Sequence, residues 1–131
     1  MKNASTLLAL FLSFQAFGAE TTLLCNDQNS HSVYRLQLAE DLRNAKLTAV
    51  IGDSSVLSAG TKNLKFEEGE SSEELATFGG KTNSGLSLAL LFNAQKAAEL
   101  KPLEILEVSA YYQQHKGDIL SGNTLFLCSK K

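Results

Sequence analysis

The chain has 131 residues, 44% of them hydrophobic and 20% charged, with 12 Lys and Arg against 14 Asp and Glu and a formal net charge of -2. That length supports one hydrophobic core and is short for two domains. The slight acidic excess argues against a nucleic-acid partner, because such binding rests on clustered Lys and Arg that release counterions, and Lys130 and Lys131 alone do not supply a cluster.

Taken from the N-terminus, the first segment reads as a secretory leader. Lys2 gives a positive start, Leu7 to Phe14 is apolar apart from Ser13, and Ala16 and Gly18 stand at minus three and minus one for a cut after Gly18. The apolar stretch is shorter than the roughly 20 residues that span a bilayer, so a membrane span is not expected. Leu24 before Cys25 does not suit a lipoprotein signal, which wants a small residue there. Residues 1–18 are therefore assigned as signal peptide and residues 19–131 as one exported β domain. Cleavage takes one lysine and no acid, so 12 basic against 14 acidic residues becomes 11 against 14, and the net charge moves from -2 to -3.

The only two cysteines end two similar apolar runs, "TTLLC" at Thr21 to Cys25 and "TLFLC" at Thr124 to Cys128. In an exported chain a Cys25–Cys128 disulfide is the expected outcome, and it makes the first and last strands neighbours. A redox pair or a thiolate metal site would need close spacing or a nearby histidine, and neither is present. Between the cysteines the hydrophobic period is two. Tyr34, Leu36 and Leu38 form one core-facing set, and Leu47, Ala49 and Ile51 another, with "EDLRN" between them as a turn or a helical turn. The alternation resumes at Leu64 and Phe66, at Ala76 and Phe78, at Leu86 to Phe92, and at Leu106, Val108, Ala110 and Tyr112. Turn-forming clusters such as "EEGESSEE" and "GGKTNSG" separate these runs. Only "NAQKAAELKP" reads as helix, over about 94–101, with Asn93 as N-cap and Pro102 as stop. The expected fold is all-β: a small antiparallel meander of seven to eight strands, as an up-and-down barrel or a sandwich. The barrel is preferred because closure removes exposed edges. A barrel this small is expected to have a filled interior.

Five candidate features follow. "LTAVIGDSS", Leu47 to Ser55, resembles the nucleophile block of the GDS-type hydrolases, which would make Ser54 an acyl nucleophile. That family places an Asp three residues before its catalytic His; here Gln28 and Tyr112 stand three before His31 and His115, and the Gly-containing Asn-Asp block is missing. Glu67, Glu68, Glu70, Glu73 and Glu74 are the right ligand type for calcium without the spacing of a calcium loop, so they read as a solvated acidic loop. Two histidines cannot complete a zinc site, and "TFGGKTNSG" lacks phosphate-loop spacing; no cofactor or metal is expected. The last candidate is a surface. If Leu106, Val108, Ala110 and Tyr112 face the core, then Tyr111, Gln113 and His115 face out, an aromatic among polar groups of the kind that anchors interfaces.

These features support an exported, non-catalytic binding or protein-interaction module, monomeric, acting in the periplasm or outside the cell on another protein or a small ligand. The alternatives are a small hydrolase using Ser54 and an envelope structural protein without a discrete ligand. The outline of leader, about 110 residues and a cysteine near each end resembles that of small periplasmic lysozyme inhibitors of barrel form. Their inhibitory loop motif has no counterpart among these residues.

Overall fold

The structure, a computed structural model, describes residues 20–51, 61–72, 74–81, 85–114 and 120–130. The leader 1–18, Ser54, Glu73 and His115 lie outside the described residues. Among those described, eight antiparallel strands close into a barrel in simple sequence order. They are β1 (Thr21–Asp27), β2 (Val33–Leu38), β3 (Asn44–Ile51), β4 (Thr61–Phe66), β5 (Ala76–Lys81), β6 (Leu86–Phe92), β7 (Leu106–Gln114) and β8 (Leu120–Lys130). One short helix, α1 (Ala94–Ala98), lies between β6 and β7, and a single 3-10 turn spans Glu68–Glu70. No helix among the described residues is long and apolar enough to cross a membrane.

The period-two pattern explains the closure. Each strand sends alternate apolar residues inward, and eight strands enclose a space just wide enough for side chains to fill. Leu23, Tyr34, Leu36, Leu47, Phe78, Leu90, Phe92, Val108 and Phe126 are wholly buried. The rings pack on each other: Tyr34 stacks on Phe126 with centroids 5.1 Å apart, and Phe78 stacks on Phe92 at 5.0 Å. Burial of each such side chain contributes about 1.5–3 kcal/mol, and together they make this interior the core.

The seam is β1 against β8. Cys25 and Cys128 are direct cross-strand partners and are joined by a disulfide, as the paired apolar runs predict. At the end of the barrel where β1 starts and β8 ends, α1 serves as a lid. Asn93 Oδ1 accepts a hydrogen bond from the Lys96 amide at 2.9 Å, capping the helix start, and Ala97 and Leu100 are buried against the core. The helix proper ends at Ala98, and Pro102 opens a separate turn instead of acting as the stop.

Two further points refine the sequence reading. "EDLRN" is a turn: Asp41 Oδ1 accepts from the Arg43 amide at 2.8 Å, and Leu42 takes a φ of 57°. Ile51, expected in the core with Leu47 and Ala49, is 63% exposed. Tyr34 pairs with Ala49 while Val33 pairs with Ile51, so Val50 is an extra residue and the bulge breaks the alternation there.

The interior is not apolar throughout. Asp27, Ser32 and Lys62 are buried toward the end opposite α1. Asp27 is held by polar partners: its carboxylate accepts from the Asn29 amide at 2.9 Å, from the Ser30 hydroxyl at 2.9 Å and from the Thr124 hydroxyl. These bonds tie the β1–β2 loop to β8 and offset the desolvation of the charge. Lys62 shares the inward face with Leu64, and burial lowers its pKa below the ordinary lysine value by disfavouring the ammonium form.

Candidate functional site

The outward face of β5 to β8 carries a groove of about 760 Å³. Its geometry follows from register. Gly79 pairs with Ala89, Ala89 with Tyr111 and Tyr111 with Asn123, so these four residues form one rung across four strands. Lys81, Ser87, Gln113 and Ser121 form the next rung. All but Gly79 line the groove, as does Glu67.

Small residues make it concave. Ala89 and Ser87 form the middle of the two rungs, while Tyr111 rises on one side. On the other side the Glu67 carboxylate lies over Gly79, in the space a Cβ at that position would occupy. Neighbouring strands are about 4.8 Å apart, so the strands beneath Glu67 and Tyr111, β5 and β7, are about 10 Å apart. Glu67 is positioned by the loop after β4, where its amide donates to the Thr77 carbonyl at 2.8 Å. The Ser71 hydroxyl donates to the Glu67 carbonyl at 2.7 Å and accepts from the Thr77 amide at 3.0 Å, fixing the start of the acidic loop to β5.

Tyr111 is 47% exposed, while Tyr112 is partly buried and packs against the core. The adjacent tyrosines thus point to opposite faces, in the register the alternation predicts. Tyr112 finds room because its cross-strand partner is Gly122; a Cβ there would lie 2.6 Å from the tyrosine hydroxyl. Gln113 joins Tyr111 in the groove. His115, the third residue of the predicted patch, lies outside the described residues.

Chemically the groove offers a phenol, two amides, the Ser121 hydroxyl, a carboxylate and an ammonium around a small apolar floor. Such groups donate, accept and stack. The Ser87 hydroxyl is shielded from solvent and has no hydrogen-bond partner among the described residues. His31 is exposed on the β1–β2 loop with a φ of 61°, on the far side of β8 from the groove. Among the described residues no group of three or more His, Cys, Asp or Glu could hold a metal ion.

The residues missed in the sequence are Ser87, Ala89, Ser121 and Asn123, which join the site through strand pairing, while Glu67 and Lys81 stood out there only in the acidic loop and the phosphate-loop-like stretch. Period two could assign the strand residues an outward direction but not a cross-strand neighbour, and it says nothing of Glu67 in the loop after β4. Neither a family model, a curated protein nor a solved structure matches the chain.

Proposed function

We propose that the protein is an exported, non-catalytic binding module that contacts a partner through the outer face of β6 to β8, centred on Tyr111 and Gln113. The observation that carries this reading is a half-exposed tyrosine rising beside a concave, polar groove, on a scaffold closed by strand pairing and a disulfide. A tyrosine held on a rigid strand presents a large contact area with few torsions to freeze, so little entropy opposes its burial in an interface. The leader-like N-terminus and the disulfide both suit an oxidising compartment, the periplasm or the medium.

Photo-crosslinking in the cell of origin tests this. Benzoylphenylalanine replaces Tyr111 in one variant and Lys46 in another. Lys46 is an exposed residue of β3, which lies opposite β7 in the closed ring. An adduct of defined mass at position 111 and none at position 46 is the expected result. Equal labelling at both positions, or no adduct at 111, contradicts the assignment of this face.

A further inference from the structure

A second surface lies at the α1 end of the barrel, away from the groove. Residues 101–104 read Lys-Pro-Leu-Glu, and the Glu104 amide donates to the Lys101 carbonyl at 3.1 Å, closing a β-turn. Pro102 presets the second position, and Leu103 occupies the third with a φ of 76°. Proline followed by a positive φ defines a type II turn, whose third position ordinarily belongs to glycine or asparagine. Leucine has a Cβ that disfavours this backbone, and its side chain here is 97% exposed. Both choices cost stability, and the fold gains no burial from either.

The exposed leucine has company. Ile105 is 54% exposed and Leu75 43% exposed, and the two line one shallow groove of about 590 Å³ beside Glu74 and Glu107. Scattered single leucines on a surface need no explanation, but Leu103 is strained, stands at a turn tip, and lies two residues before Ile105, which lines that groove. Charge identifies the occupant. Glu74, Glu99, Glu104 and Glu107 surround this region against Lys96 and Lys101, and Glu68 and Glu70 add to the same end through the acidic loop. An anionic bilayer would be repelled, and a second copy docking end to end would set glutamates against glutamates.

We infer that the Leu103 turn is an anchor that inserts into an apolar pocket of a cationic partner protein, with the surrounding glutamates meeting the basic rim of that pocket. The site does not depend on the Tyr111 groove and stands or falls separately from it.

The informative variant is Leu103→Gly, which removes the anchor and relieves the backbone at once. Its melting temperature should equal or exceed that of the wild type; a clear fall would show that Leu103 serves the fold and would overturn the inference. The binding probe is an amphipathic peptide of repeated Lys-Leu-Leu-Lys, titrated onto the oxidised protein and followed by calorimetry. Saturable binding is expected, weakened about tenfold or more by Leu103→Gly and also by raising salt from about 50 to about 300 mM. Absence of binding, or binding unchanged in Leu103→Gly, overturns the anchor. So does preference for phosphatidylglycerol vesicles over the peptide, or self-association that Leu103→Gly abolishes.

Discussion

Phe78 shows how much a single interior position carries. Its ring stacks on Phe92 and meets Phe66 edge-on at 5.9 Å, with no exposed surface. Phe78→Ala should lower the unfolding free energy by about 3–5 kcal/mol, read as a lower urea midpoint at an unchanged m-value. Lys62 makes a different prediction. Burial lowers its folded pKa below 10.5, so between that lowered value and 10.5 the unfolded chain binds more protons than the folded one. Stability therefore rises with pH across that window and falls as pH drops through the folded pKa. The stability of wild type relative to Lys62→Met should increase as pH approaches 10.5, followed by urea titration at several pH values. Lys62 and Asp27 were also the residues least visible in the sequence. Lys62 shares the period-two set of Leu64 and Phe66, so its inward direction was open to inspection, but a lysine on an apolar face is ordinarily taken for a strand end reaching solvent. Asp27 is stabilised by Thr124, a partner at the other end of the chain.

Among elements, α1 is too short to hold itself together, since isolated helices of this length are marginal in water. It persists through its cap and through Ala97 and Leu100 on the core. Asn93→Ala should cost about 1 kcal/mol, measurable as a modest fall in melting temperature without loss of barrel structure. The elements were legible because strand direction and core face are local: two-residue alternation in β2, β6 and β7 assigned them before any pairing was known. The β3 end was misread because a bulge inserts Val50 between positions that alternation alone makes equivalent, so Ile51 leaves the core. The groove was half legible for the same reason. Tyr111 and Gln113 lie on one strand and share its outward face, whereas Glu67, Ser87 and Asn123 reach them only through the order and register of four strands.

At the scale of the molecule, closure is set by strand order and locked covalently at the seam. The Cys25–Cys128 bond spans a sequence separation of 103 residues. Chain-entropy models give about 4.7 kcal/mol for a loop of about 100 residues, so reduction should cost about 2–5 kcal/mol, read by urea unfolding with and without reductant. The same closed scaffold holds Tyr111 outward and Tyr112 inward, and the proposed binding face depends on that split. Its most direct test is a pair of alanine variants, Tyr111→Ala and Tyr112→Ala, each carrying benzoylphenylalanine at position 113 and each read for unfolding free energy and for crosslinked partner. Tyr111→Ala should leave stability within about 0.5 kcal/mol and sharply reduce the adduct, whereas Tyr112→Ala should destabilise by about 3 kcal/mol. Stability lost at Tyr111 and kept at Tyr112, or an adduct that survives Tyr111→Ala undiminished, would contradict the account.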